Sequence, residues 1–430
     1  MKSKNIIIKI LLIIFSINVI TGCTQNKNNT KPKEEKKSKN LSGDIEITIS
    51  DDRFGEFLKN NIIPDFKKDN PDVNVSLSSD NDINSRVMNG KVPDIYIGNN
   101  VYEAMKYGDM NKLLDFQKVN GFKNDLYKKI SKKFIVKKQK TNEIYCIPWF
   151  VTTQLMAYNK TLFREAGLDE KKPPSTFDEF INCANRIYAL PNRADGSKIY
   201  GVAVPNNDIS NPISNWENVS PLYYNMNDKK YGLYNNTGTD VVFDKSEAKL
   251  NDFFVFVSKV QQVTSMNLKN ADLNNTGMWL QYGDEENINK DDIGISNIPA
   301  KDKNSISYSN LKEKNIMMFK TDTKRQDLAW NFVKYIMEEQ ENLKACKKLK
   351  ELPVLSKLEK NDYFKTTENK KYMEQLKNAI PIEPYPSIEK VTANLQQAYI
   401  DYAVNKKVPL DLSIKNAADK SRNIIKNTGE

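Results

Sequence analysis

The sequence of 430 residues contains no histidine. That removes imidazole acid–base work, histidine metal ligation and the Ser-His-Asp and Cys-His arrangements of nucleophilic catalysis. Cys146, Cys183 and Cys346 lack metal-site spacing and make an odd set beside Cys23. They read as buried free thiols, with one disulfide and an unpaired partner as the alternative. Asp80-x-Asp82-x-Asn84 has Lys91 where a calcium loop needs its last acid, and Asp272-x-Asn274-x-Thr276-Gly277 has Gly283 there. No P-loop or dinucleotide fingerprint occurs, and no cofactor or metal is expected. What is left is the chemistry of recognition: flat aromatic rings for apolar faces, and planar amides and carboxylates for paired hydroxyls. Four tryptophans can supply rings. Trp330 lies on the apolar stripe of a helical pattern and belongs to a core. Trp149 follows Pro148 in an extended run, where groove lining and hinge packing are both open. Trp216 stands in an Asn-rich stretch as a structural or a contact residue. Asn99, Asn100 and Asn211 are polar candidates by position.

These residues need elements to hold them. The central stretch is 143–177, EIYCIPWFVTTQLMAYNKTLFREAGLDEKKPPSTF. Its apolar run Tyr145 to Phe150 meets polar Thr152, Thr153 and Gln154, and a second extended run, Leu155 to Tyr158, follows. A polar break inside an extended segment suggests a strand that leaves one sheet, crosses a gap and joins another. Asn159 caps a short helix to Ala166, Gly167 ends it, and Thr176 with Glu179 forms a capping box for the next.

Upstream, DIEITIS (44–50) alternates as a strand, Arg53 to Lys68 has helical periodicity, Val73 to Leu77 is a strand, and Ile83 to Met88 is a short helix. Pro93 to Ile97 is a buried strand, and Gly98-Asn99-Asn100 falls at its carboxyl end, where open α/β sheets bind ligands. Downstream, the spacing predicts helices over Thr176 to Leu190, Ser246 to Val263, Thr323 to Glu339, Ile388 to Tyr402 and Leu410 to Ile425. Strands are expected at Ile199 to Val204, Asp292 to Pro299 and Ile316 to Phe319, the second leading into another crossover. Residues 206–239 show little periodicity. Alternating strands and helices over this length imply an α/β chain with more than one core.

The formal charge of +10 is unevenly placed. Residues 1–22 hold +3, residues 24–40 hold +4, and 41–430 hold only +3. The globule is nearly balanced, so no nucleic-acid partner is expected.

Pro148, Tyr158-Asn159, Leu162-Phe163, Ala166-Gly167-Leu168, Pro173-Pro174-Ser175-Thr176 and Glu179-Phe180 together resemble the extracellular solute-binding protein family 1, the maltodextrin-type receptors of bacterial ABC importers. Gly90-Lys91-Val92-Pro93-Asp94-Ile95 and Ala329-Trp330 with Leu352-Pro353-Val354 extend the resemblance nearly to the end of the chain. It implies a two-lobe, type II fold, each lobe a mostly parallel sheet flanked by helices, with crossover hinges. The implied N-lobe is 42–150 plus about 298–350, and the C-lobe about 151–297 plus 351–430. Val19-Ile20-Thr21-Gly22-Cys23 resembles a bacterial lipobox, which implies a signal peptide over 1–22, a lipid on Cys23 and a disordered tether over 23–41.

The resemblance further implies a monomeric, non-enzymatic receptor. It would capture a carbohydrate on the outer face of a Gram-positive-type membrane and hand it to the transmembrane subunits of the permease. In its terms Asp52 and Arg53 match the pair that grips sugar hydroxyls, and Thr152 stands where a glutamate is usual. Trp279, after Gly277 and Met278, matches a Gly-Pro-Trp element whose indole stacks on sugar. Tyr385, in Pro384-Tyr385-Pro386, stands in for a C-terminal stacking tryptophan. Two alternatives stay open: a receptor for a charged solute such as a polyamine or a glycerophosphate, and a two-carboxylate glycoside hydrolase, which needs no histidine. A surface adhesin or sensor without transport is a third.

Overall fold

A computed structural model describes residues 41–79, 82–203, 212–265, 272–283 and 292–428. Strand β1 (Gly43–Ile49) leads through the cap Asp51 into α1 (Asp52–Phe57), a π turn at Leu58–Ile62, and α2 (Ile63–Asp69). The expected helix is thus one continuous run with a π turn in its middle. Then come β2 (Val73–Ser79), α3 (Ile83–Met88), β3 (Ile95–Gly98) and α4 (Val101–Asp109). β1 pairs in parallel with both β2 and β3. Apolar residues on the sheet, Ile45, Ile47, Ile49, Ile95 and Ile97, are buried against Phe54, Leu58, Ile62 and Phe66.

The long strand β4 (Ile147–Asn159) is one continuous element. After it follow α5 (Lys160–Glu165), α6 (Phe177–Tyr188), β5 (Tyr200–Ala203), α7 (Pro212–Met226), α8 (Leu250–Gln261), β6 (Thr264–Ser265), β7 (Thr276–Tyr282) and β8 (Ile293–Ser296). β5 is parallel to β6 and β7. A second core forms here from Met156, Phe163, Phe180, Ile187, Tyr223, Phe253 and their neighbours. Helix α7 is absent from the expected pattern because its Asn, Pro and Tyr residues carry no clean helical period, and Pro221 lies within it.

β9 (Ser309–Met318) returns to the first core, followed by α9 (Thr323–Ile336), α10 (Glu339–Leu349) and β10 (Leu352–Pro353). The segment after β10 keeps Leu352, Val354, Leu358, Phe364, Tyr372 and Leu376 in the first core. α11 (Thr367–Gln375) and β11 (Ala379–Pro381) end that passage, and core membership changes hands at Ile380. α12 (Ile388–Tyr399) and α13 (Leu410–Thr428) finish the second core. The strand order β2-β1-β3-β9-β4-β7-β5-β6 joins both cores through β4 and β9.

β4 runs antiparallel to β9 from Ile147 to Thr153, then leaves it to pair with β7 from Gln154 and with β8 from Met156. The polar break does what its composition suggests. The Thr153 hydroxyl donates to the Asn310 carbonyl at 2.7 Å, and the Ser309 hydroxyl donates to the Gln154 carbonyl at 2.8 Å while accepting the Gln154 N–H at 3.1 Å. All these side chains are buried, so each polar group needs its partner. Cys146, Cys183 and Cys346 are free and buried.

Gly201 on β5 lets α6 lie directly on the sheet. A Cβ there would stand 2.2 Å from the Ala184 carbonyl oxygen and 2.9 Å from its Cα. Backbone cannot swing aside as a side-chain tip can, so Gly201→Ala is expected to cost about 1–3 kcal/mol. Urea unfolding checks this; an unchanged midpoint would mean that α6 shifts freely.

Candidate functional site

The carboxyl ends of β1 and β3 carry the loops 50–53 and 98–100, and β9 passes beside them. Because strand side chains alternate, Asn310, Lys312 and Lys314 share one face of β9. Lys314 stands opposite Phe150, and Lys312 opposite Thr152. The Lys314 ammonium donates to Asp51 Oδ2 at 3.0 Å and to Asn99 Oδ1 at 2.5 Å, and lies 4.1 Å from the Phe54 ring centroid. The Arg53 guanidinium donates to the Leu349 carbonyl at 2.8 Å and to Glu351 Oε1 at 2.7 Å. The Lys312 ammonium lies 3.9 Å from Glu217 Oε2 and 4.4 Å from the Tyr282 ring centroid. Asn310 Nδ2 donates to the Glu217 carbonyl at 2.6 Å and to the Tyr282 hydroxyl. One strand face thus reaches groups of both cores.

A second bridge lies alongside. The Tyr102 hydroxyl of α4 donates to Glu389 Oε1 of α12 at 2.9 Å and accepts from Asn100 Nδ2 at 3.2 Å. Gln139 Nε2 donates to the Asn236 carbonyl at 2.7 Å and to the Tyr385 hydroxyl at 3.0 Å.

The structure brings Arg53, Asn99 and Thr152 together around Lys312 and Lys314, and sets Asn100 and Tyr385 on the second bridge. It turns Asp52 elsewhere: its carboxylate accepts the Ser79 hydroxyl at 2.5 Å. The acid facing the β9 lysines is Asp51, the cap residue, whose Oδ1 accepts the Arg53 and Phe54 N–H groups. All four tryptophans are packed inside. Trp149 is fully buried against Phe54 and Phe150. Trp216 packs on Tyr223, Tyr224 and Phe253. Trp279 is 2% exposed, lies against Ala157 and Ala203, and donates its indole N–H to Gln281 at 2.8 Å. Trp330 is likewise in the core. Asn211 and Cys23 lie outside the described residues. The residues that sequence reasoning missed are Asp51, Glu217, Tyr282, Asn310, Lys312, Lys314 and Glu351. The alternation Asn310-Leu311-Lys312-Glu313-Lys314-Asn315-Ile316 was the available signal for three of them.

Several carboxylates here resist ionisation. Burial lifts the Glu103 carboxyl to about 7; Glu389 and Glu217 add to the rise, and Lys106 opposes it. Burial also lifts Glu313, on the other face of β9, to about 7, against a hydrogen bond from Asn315. Burial raises Glu217 against Lys312, and Glu351 against Arg53. A carboxyl with a raised folded-state pKa holds its proton better folded than unfolded. Stability is then full at a pH below the unfolded value and falls as pH rises through the folded one. Thermal unfolding from about pH 5 to about pH 8 should therefore show a declining melting temperature, flattened in Glu313→Gln. A melting temperature that climbs over this range would contradict it.

Among the described residues no group of three or more acidic or thiol side chains is placed to hold a metal ion, and no helix is long and apolar enough to cross a membrane.

Two α/β lobes joined by crossing strands, with polar side chains converging where the strands cross, define a two-lobe solute receptor. The chain belongs to the bacterial extracellular solute-binding protein family, whose model matches residues 51–342. These are binding proteins and not enzymes. Similar solved structures include the cyclic α-maltosyl-1,6-maltose binding protein of Arthrobacter globiformis, at 16% identity and TM-score 0.73, covering 90% of this chain and 100% of that one. An ABC transporter solute-binding protein of Thermotoga lettingae bound with α-D-tagatose has 17% identity and TM-score 0.71 over 89% of this chain and 100% of that one. The GacH receptor of Streptomyces glaucescens, solved unliganded and with acarbose, has 14% identity and TM-score 0.72 over 90% of this chain and 99% of that one. No curated protein matches the sequence.

Proposed function

We propose that the protein is the substrate receptor of an ABC importer, closing two lobes over a carbohydrate, in particular an oligosaccharide, and presenting it to the permease. In this reading Cys23 carries the lipid that anchors a monomer to the outer face of the membrane, with 23–41 as its tether. The lobes move at the crossing strands, near 150 and 298 as the sequence suggests, and near 380 rather than the suggested 350, because Leu352 to Leu376 stay in the first core. The observation that carries the reading is the β9 face, from which Asn310, Lys312 and Lys314 meet Asp51 and Asn99 on one side and Glu217 and Tyr282 on the other. Charged and amide groups of this kind suit paired hydroxyls, and the Tyr282 ring offers a face for sugar C–H groups. Relatives of similar fold are described as binding a cyclic maltosyl-maltose, α-D-tagatose and acarbose.

Thermal-shift screening of the purified protein against a glycan panel tests this. A specific ligand at about 100 times its Kd adds roughly 2.7 kcal/mol to stability and raises the melting temperature. If no carbohydrate shifts it while glycerophosphates do, the carbohydrate reading fails.

A further inference from the structure

We propose that the captured solute is anionic, and that its negatively charged groups sit in a cavity of about 700 Å³ between α4, the loop 137–141 and the start of α12. The proposal rests on the receptor reading for the site's location and deepens it by naming the ligand's charge.

Both lobes build this cavity. Lys106, Lys137, Lys138 and Lys140 come from the first, and Tyr385 and Lys390 from the second. Its volume suits a small-molecule ligand, whereas the space that Asn310 and Glu217 line on the β9 face is only about 10 Å³. Polar groups of α4 connect the two. Glu389, in the cavity wall, accepts the Tyr102 hydroxyl at 2.9 Å; Tyr102 accepts from Asn100 at 3.2 Å; and Asn99 beside it accepts from Lys314. Gln139 crosses from one lobe to the other, donating to the Asn236 carbonyl at 2.7 Å and to the Tyr385 hydroxyl at 3.0 Å. Tyr385 is half-buried, with its ring on Tyr234, centroids 4.7 Å apart. Gly238 makes room for that ring, since a Cβ there would stand 2.2 Å from its Cε1.

The wall is positively charged. Five lysines meet two acids there, an excess of three positive charges. Lys138 pairs with Asp109, and Glu389 is engaged by the Tyr102 hydroxyl. Lys106 donates to Asn84 Oδ1 at 2.8 Å, and the Lys137 ammonium lies 6.0 Å from the Tyr127 ring centroid. Among the described residues Lys137, Lys140 and Lys390 make no ion pair and no side-chain hydrogen bond. Three further acids lie close by without lining the cavity: Glu103, one turn before Lys106 on α4; Glu143, whose carbonyl accepts the Lys138 N–H at 2.8 Å; and Glu383, which accepts the Leu233 N–H at 2.7 Å. Glu430 lies outside the described residues. A concave wall of one sign concentrates ions of the other and repels its own. Each lysine ammonium brings three donors and no acceptor. Carboxylate, sulfate or phosphate oxygens, which only accept, therefore fit here, and a cationic solute does not.

Acidic oligosaccharides and glycerophosphate both supply such oxygens, and calorimetry on the purified protein separates them. The probes are oligogalacturonates and alginate oligosaccharides, the methyl esters of both, in which the charge is removed, maltodextrins, and glycerophosphate. The expected result is that an acidic oligosaccharide binds at least ~10-fold more tightly than its ester and than any maltodextrin. That advantage should shrink between about 0.05 M and about 0.5 M salt. The triple variant Lys137→Gln, Lys140→Gln and Lys390→Gln should abolish most of it; these side chains are exposed and have no bond to lose, so the variant should keep the parent's melting temperature. Equal or tighter binding of a neutral oligosaccharide, or an advantage that survives in the triple variant, overturns the proposal and leaves the carbohydrate reading standing. Binding of glycerophosphate that is lost in the triple variant, with no binding of any oligosaccharide, upholds the anion site and overturns the carbohydrate reading. Binding of none of the probes overturns the anion site.

Discussion

Trp279→Ala is expected to lower the unfolding free energy by about 3–5 kcal/mol, and Tyr282→Ala by no more than about 1 kcal/mol. Ligand affinity should respond in the opposite order. Tyr282→Ala should weaken binding at least ~10-fold, since a ring face and a cation–π partner disappear together, while folded Trp279→Ala should bind nearly as well as the parent. The reason is strand geometry. The two residues lie three apart on β7, so their side chains leave opposite faces of the sheet. Trp279 faces Ala157 and Ala203, where its removal leaves a cavity and frees the Gln281 amide oxygen. Tyr282 stands opposite Gln154 and over Lys312, where both cores meet. Denaturant unfolding and calorimetry on both variants check the pair. Loss of binding in a still-stable Trp279→Ala would return the stacking role to Trp279.

The same geometry explains what the sequence could show. The crossing strand β4 was legible because its break, Thr152 to Gln154, interrupts two apolar runs. The companion strand β9 was legible only at its apolar end, Ile316 to Phe319. Residues 309–315 are polar and charged, and they become a strand because β3, β4 and β11 all hydrogen-bond to β9. That is tertiary pairing overriding local preference. The acid that meets Lys314 is Asp51, one residue before the Asp52 that the resemblance implies. Helix capping decides it: Asp51 is extended and caps, so its carboxylate is held at the loop where Lys314 can reach it, whereas Asp52 is already helical. The Gly-Pro-Trp resemblance at Trp279 carries no information on burial; here Gly277 is a close-packed strand residue whose Cβ would meet the Gly201 carbonyl oxygen at 2.7 Å, and Trp279 is 2% exposed. Tyr102 and Glu389 are 287 positions apart, and no local pattern connects them.

Lys314→Met should separate binding from stability more sharply than any other single change. Burial pulls the Lys314 pKa down, and Asp51 only partly restores it. A group with a lowered folded-state ammonium pKa penalises the fold while it stays charged, and the penalty lifts as pH rises from the folded value to the unfolded one. Asp51 has the reverse sign: burial raises it, but Lys314 and the Phe54 N–H outweigh that and hold it below 3.8. Its contribution is fully present above the unfolded value and is lost as pH falls through the folded one. At neutral pH the methionine variant gives up the pairing and also the buried charge, while its thioether keeps apolar contact with Phe54. Since Asp51 stays half-exposed and retains its capping bonds, no isolated buried charge is left behind. The net change in unfolding free energy should be within about 2 kcal/mol, as for other replacements of buried ion pairs by apolar groups. Binding has no such compensation: removing a desolvated ammonium that organises Asp51 and Asn99 should cost about 2–4 kcal/mol, some 30- to 1000-fold in Kd. Parallel urea unfolding and calorimetry decide the matter. A variant that is severely destabilised yet binds normally when folded would make Lys314 a structural strut, and the β9 face would lose its claim to be the floor of the site.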